Sequence, residues 1–380
     1  MPFLVYLLAL AVFAQGTSEF MLGGLLPGIS ADLGVPLSAA GLLTSGFALG
    51  MVVGAPALAV LGRRLPARAT LAGLLAVFVL AHVAGALAPG FGLLLGTRVV
   101  AALANAGFLA ITMSLLGRIV APGQHARALA VVLGGTTLAL IAGVPLGAFV
   151  GEHLGWRATM WGVAAICVPA LTAILCAAPA RGAETDSSTL VLRAELAALQ
   201  QRPLQRSIAL AVLANAAVFC SFTYLAVIAR QGAGISESLV PLLLVVFGGG
   251  AYAGVMVAGR LADRHWGPVI TFGIPLACVG WLGFAALVAS PPAVWLLSGA
   301  LGAVSFAVGS TLISRVLANA SNAPTLSGAY STVALNAGAI AGPAAGGLAL
   351  APFGAQGPLL VSAACMIMAA IVWWPARASS

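Results

Sequence analysis

FLVYLLALAVFAQGTSEFMLGGLL, residues 3–26, carries a single charge, the carboxylate of Glu19. A helix of about 20 apolar residues crosses the ~30 Å hydrocarbon core of a bilayer. The stretch therefore reads as a membrane span with Glu19 inside it. A carboxylate at that depth is costly and marks a functional site more often than a packing position. The segment lacks a basic leading region and is too long for the apolar part of a signal peptide, so we expect a retained helix.

The rest of the chain has the same character. Of 380 residues, 62% are hydrophobic and 6% charged, against about 25% charged in soluble domains. Uncharged runs give twelve spans, at 3–26, 38–61, 70–88, 91–116, 127–151, 158–178, 206–230, 238–261, 268–289, 292–316, 325–350 and 356–374. The expected class is an all-α membrane protein.

The net charge is +8, and all 16 basic residues are arginine. Thirteen lie in the even-numbered connections and at the C-terminus, and only Arg157 and Arg230 in the odd-numbered ones. Arg98 falls inside the fourth span. The positive-inside rule then places both termini in the cytoplasm. The arginines follow topology and do not cluster on a soluble face, which argues against nucleic acid as a partner. Without lysine the chain has no phosphate-binding G-x-x-x-x-G-K motif, which excludes a primary pump within it. No nucleophile–base constellation points to an enzyme. The five cysteines sit in apolar spans without C-x-x-C spacing, so we expect no metal and no cofactor.

The chain repeats itself at an offset near 200. Gln15, Gly50, Gly54, Leu61 and Arg64 match Asn215, Gly250, Gly254, Leu261 and Arg264; Ile141, Gly143 and Gly147 match Ile340, Gly342 and Gly346. Two six-helix halves of like topology suggest a transporter with its site at the midplane between them. The expected division is 1–178, a polar cytoplasmic linker at 179–205, and 206–380. Within the linker, residues 190–199 read as a short amphipathic helix. Small residues four apart, as at Gly143, Gly147 and Gly151, let helices approach closely; they serve packing, sliding, or both.

Several motifs resemble the major facilitator superfamily. Gly259-Arg-Leu-Ala-Asp263-Arg264-His-Trp-Gly267 is similar to its cytoplasmic loop motif, and Arg98 to its membrane-embedded arginine motif. Gly143-Val-Pro145-Leu-Gly147 with Gly155-Trp156-Arg157 is similar to its fifth-helix antiporter motif. Thr17-Ser18-Glu19-Phe20, Leu26-Pro27 and Ala31-Asp32-Leu33 resemble the twelve-helix drug:proton antiporters, the chloramphenicol-resistance exporters above all. The first-half loop has Arg63 where that family usually has an acid, so the two gates are expected to be unequal.

The resemblance implies a monomeric carrier of the bacterial inner membrane whose cavity is lined by helices 1, 4, 7 and 10. It assigns gating to Arg64, Asp263, Arg264, Gly143, Pro145 and Gly147. Glu19 and Arg98 then lie at similar depth. We expect them to be electrostatically coupled for proton exchange; the alternative is a static ion pair. Gln15, Asn105, Asn215, Phe219, Phe222, Ser298 and Ser305 are candidate substrate contacts, and plain interhelical hydrogen bonding is the other reading of each polar one. A small amphipathic, neutral antibiotic such as chloramphenicol is the expected substrate. A sugar or metabolite exporter and a non-transporting receptor are the alternatives. His82 reads as a packed or interfacial histidine, and Asp32, Glu152 and Glu237 as loop residues with no special role.

Overall fold

The computed structural model describes residues 2–61, 66–120, 125–177, 195–323 and 326–377. Helix dominates, and no strand occurs among the described residues. The first half comprises α1 (Phe3–Phe20), α2 (Leu22–Leu33), α3 (Leu37–Leu61), α4 (Ala67–Ala86), α5 (Phe91–Ile119), α6 (His125–Leu138), α7 (Val144–Leu154) and α8 (Trp156–Ala177). The second comprises α9 (Arg202–Thr223), α10 (Val240–Ala286), α11 (Pro291–Asn319), α12 (Ser327–Phe353) and α13 (Gly357–Arg377). Among the described residues, eleven stretches are long and apolar enough to cross a membrane. The last, Ser327–Pro375, contains both α12 and most of α13.

One junction departs from the sequence reading. Residues 259–267, expected as a loop, are helical within α10. A 47-residue helix is about 70 Å long at 1.5 Å per residue, over twice the hydrocarbon thickness. Two separate apolar windows, Glu237–Leu261 and Trp266–Ala286, fit that length.

Three spans are interrupted along their length. The first pauses at Met21, between α1 and α2. The seventh pauses at Tyr224 (φ −104°, ψ 14°) and ends in a π-turn at Ile228–Gly232. In the fifth, α6 passes through a π-helix at Ala139–Gly143 into α7. Pro145 lacks the N–H that the carbonyl four residues earlier would accept, and one widened turn absorbs the mismatch.

Within each half the pairings run in parallel: α3 packs on α5, and α10 on α11. A methyl on Gly50 would meet Ala102 and the backbone of Val99 and Leu103; one on Gly250 would meet the backbone of Gly299. The halves meet through α3 against α12 and α7 against α10. Specific contacts join them at the end away from the termini. Tyr224, fully buried, donates to the Pro343 carbonyl at 2.9 Å and lies where side chains on Gly41 or Gly347 would sit. Ser45 Oγ donates to the Ile340 carbonyl across the seam at 2.8 Å. This end is closed.

Two clamps hold the same end within each half. Asp32 accepts from Arg157 and, at 3.1 Å, from Trp156 Nε1; Arg157 also donates to the Ala88 carbonyl. Gly155, at φ +83°, makes the turn that presents Trp156 and Arg157. Arg230 pairs with Glu237 at 2.9 Å. The reading of Asp32 and Glu237 as loop residues with no special role is thus corrected: each pairs with one of the two arginines of the odd-numbered connections.

Candidate functional site

The site forms around the break in the first span. Neighbouring residues on a helix point about 100° apart, so Ser18 and Glu19 serve different surroundings. Ser18 is buried against α4 and α5. Its hydroxyl accepts from Arg98 Nη1 at 2.7 Å and lies 2.7 Å from His82 Nε2. Its carbonyl, one of the last four of α1 and so open to an outside donor, accepts from Arg98 Nη2 at 2.6 Å. The guanidinium carbon lies 4.5 Å from the centroid of the Phe47 ring, a favourable cation–π arrangement.

Glu19 is only partly buried. Among the described residues it makes no ion pair within 4.0 Å. The static Glu19–Arg98 pair is therefore absent: the guanidinium is committed to Ser18. Two helices converge just beyond. Methyl groups on Gly143 would strike Thr17, and on Gly147 would meet Thr159 at 3.2 Å and Met21 at 3.6 Å. Pro145, between them, is buried and sets the π-turn that brings Ala139 against Gly16. The fifth-span glycines thus abut the break next to Glu19.

Phe20, the next residue, belongs to an aromatic chain. Its ring centroid is 5.8 Å from Phe219 and 6.5 Å from Phe222; Phe222 is 4.9 Å from Phe247, and Phe247 is 6.2 Å from Phe306. Phe20 and Phe306 border a small recess of about 90 Å³ between the fifth and eighth spans, where Thr136, Thr137 and Tyr252 are hydroxyl-bearing lining residues. Its lining is mostly apolar with a few polar groups, the character of a ligand site, although its volume is below the roughly 300 Å³ of a drug-sized pocket.

The sequence candidates fall in different places. Phe219 and Phe222 join the aromatic chain. Gln15, Ser298 and Ser305 are buried with side-chain polar atoms that have no hydrogen-bond partner. Asn105 makes one weak contact, Nδ2 to Met51 Sδ at 3.6 Å. Asn215 donates to the Leu335 carbonyl at 2.6 Å, an interhelical bond. Arg64 and the side chains of Asp263 and Arg264 lie outside the described residues. Sequence reasoning missed Phe306, Thr136, Thr137 and the partnership of His82. Only Phe306 had a signal, as the neighbour of Ser305.

The comparisons agree with the geometry. The chain is 49% identical over 380 residues to a "Chloramphenicol resistance protein" of Streptomyces lividans, covering 99% of this chain and 97% of that one. It is 32% identical over 340 residues to the inner membrane transport protein YdhP of Escherichia coli strain K12, covering 90% and 87%. Among solved structures, a bacterial homologue of the human lysosomal transporter Spinster, captured inward-facing and unoccupied, aligns with TM-score 0.78 at 17% identity over 98% of this chain and 96% of that one. The nucleoside transporter NupG aligns with TM-score 0.78 at 14% identity over 98% of both. Residues 8–334 match the family model of the Major Facilitator Superfamily. With that match covering most of a multi-pass helical chain, the protein belongs to the Major Facilitator Superfamily.

Proposed function

We propose that this protein exports a small, neutral, amphipathic antibiotic of the chloramphenicol type in exchange for protons, by alternating access across a bacterial inner membrane. The observation that carries the reading is Glu19: a lone carboxylate at span depth, next in sequence to Phe20, which borders an aromatic recess, with the nearby guanidinium bonded elsewhere. A cation that can leave or approach a carboxylate changes that group's hold on a proton. The chloramphenicol resistance of the Streptomyces relative supports the substrate class. A recess with three hydroxyl-bearing residues among ten is less suited to a sugar.

The same reading includes twelve crossings, cytoplasmic termini, halves at 1–178 and 206–380 joined by a linker, and a monomer as the working unit. The outer end is then the closed one. The direct contact between the halves at that end supports this reading.

The test uses everted vesicles. Chloramphenicol added to energised vesicles should release protons, and Glu19→Gln should abolish the coupled flux while the protein remains folded. Proton-driven export at wild-type rate in Glu19→Gln sinks the reading.

A further inference from the structure

Three polar side chains on three helices form a directed chain in the apolar interior. Ser18 of α1 is 0% exposed, His82 of α4 2% and Arg98 of α5 2%. The directions follow from which atoms can donate. His82 Nδ1 lies 2.8 Å from the Phe78 carbonyl, which only accepts, so Nδ1 carries the proton. Arg98 only donates, so Ser18 Oγ is the acceptor in that bond. The one remaining proton of Ser18 then points to His82 Nε2, which must be bare to receive it. A second proton on the ring would place an imidazolium and a guanidinium on one hydroxyl, with no carboxylate bonded to either. Two buried like charges oppose each other strongly.

We propose that His82 is a positioning residue: neutral, with its proton on Nδ1, it accepts the Ser18 hydroxyl and so fixes Ser18 in the orientation that holds Arg98 away from Glu19. The imidazole is itself held twice, by the Phe78 carbonyl and by the Phe78 ring, 4.2 Å between centroids. It therefore acts as a fixed anchor. The third span becomes part of the coupling apparatus without touching substrate or proton. Arg98 leaves Ser18 when α5 and α1 shift against each other, or when Ser18 loses its acceptor. Buried donors also hold each other more firmly in series than singly. This inference rests on the proton-exchange reading above.

The experiment compares three side chains at position 82 in everted vesicles, with Glu19→Gln run beside them. His82→Gln offers an acceptor near the Nε2 position and should retain proton-driven chloramphenicol flux. His82→Leu offers none. It should lose about tenfold in initial rate, the effect of one ordinary hydrogen bond, with the half-saturating drug concentration unchanged. Equal flux in the glutamine and leucine variants, whether both high or both low, overturns the proposal. A second measurement needs no variant to fold. Nitrogen-15 spectra of the intact protein should show His82 as the Nδ1–H tautomer, unchanged from about pH 5 to 8, where an ordinary histidine titrates. A titrating ring, or a proton on Nε2, overturns it as well. If Glu19→Gln keeps proton-driven flux, the export reading fails instead, while the spectra still decide the tautomer.

Discussion

In the first half, Ser18 holds a guanidinium on one side and an imidazole on the other. In the second, Ser221 meets Ser362 at 2.6 Å, and Ser362 lies within reach of the Ala217 and Pro358 carbonyls. Both arrangements tie the broken first span of a half to a neighbouring helix through a buried serine. Only the first includes charge. The helix breaks at Met21 and Tyr224 lie 203 residues apart, as do Gly135 and Gly338 with the Ala9 and Val212 carbonyls they meet. This register replaces, for the first and seventh spans, the sequence offset of 200 that paired Gln15 with Asn215. On it Ser18 matches Ser221 while Glu19 matches Phe222. The same scaffold thus supports a charged device in one half and a neutral one, beside aromatic rings, in the other. Packing symmetry and chemical symmetry are separable.

The largest contrast is at the matched pair Glu19 and Phe222. Glu19→Gln should remove coupled export outright, whereas Phe222→Leu should weaken drug binding by about tenfold through the loss of one aromatic contact. Susceptibility and proton-release assays on both variants separate the two roles. If Phe222→Leu uncouples the protein, the division of labour between the halves is wrong.

The serine pair comes next. Ser18→Ala strips an acceptor from a buried guanidinium and a donor from a buried imidazole, at a cost of about 3 kcal/mol. Ser221→Ala leaves Ser362 with two carbonyl acceptors and should cost about 1 kcal/mol. Thermal unfolding in detergent ranks them, and equal losses erase the distinction between charged and neutral ties.

Gly143→Ala and Gly342→Ala test the matched fifth and eleventh spans. The new methyl at 143 meets the Thr17 side chain, which can rotate at the expense of its bond to the Phe13 carbonyl. At 342 it meets the backbone of Ala216 and Cys220, which cannot. Within the 1–3 kcal/mol usual for overpacking, about 2 kcal/mol at Gly342 and about half that at Gly143 are expected in the same unfolding assay.

The smallest effects belong to the outer clamps. Asp32→Asn and Glu237→Gln break exposed pairs and should each cost no more than about 1 kcal/mol. Arg157 first, and Trp156 second, hold the Asp32 carboxyl below its usual range. A depressed acid stabilises the fold fully above its unfolded value of about 4 and loses that contribution as pH falls through the lower folded value. The wild-type advantage over Asp32→Asn should therefore persist at neutral pH and fade only in strong acid.

Much of this was legible in the residues. Twenty-residue apolar runs announce spans, and an isolated Glu19 announces a site. The inward faces were not legible, because spans that are apolar on every side carry little contrast between lipid and core. That is why Phe306, Thr136 and Thr137 escaped notice. Arg98 was placed at the depth of Glu19, yet its partner proved to be Ser18, the adjacent residue on another face. Spacing along one helix cannot say which of two neighbours a distant guanidinium will choose. Nor does it reveal that His82, read as a packed or interfacial histidine, bonds the other side of Ser18.

The π-helix at Ala139–Gly143 has a consequence for how such a chain can change length. In counting terms, a π-turn holds one residue more than α-helical winding needs. Deleting one residue there would restore ordinary winding and leave everything beyond it in phase, whereas deleting one from the α-helical turns on either side would rotate the rest by about 100°. In the second case Gly147 would swing away from Met21, and Ala148 away from Gly24. A segment whose composition tolerates almost any apolar residue is thereby rigid in the number of residues it contains, except at its one widened turn.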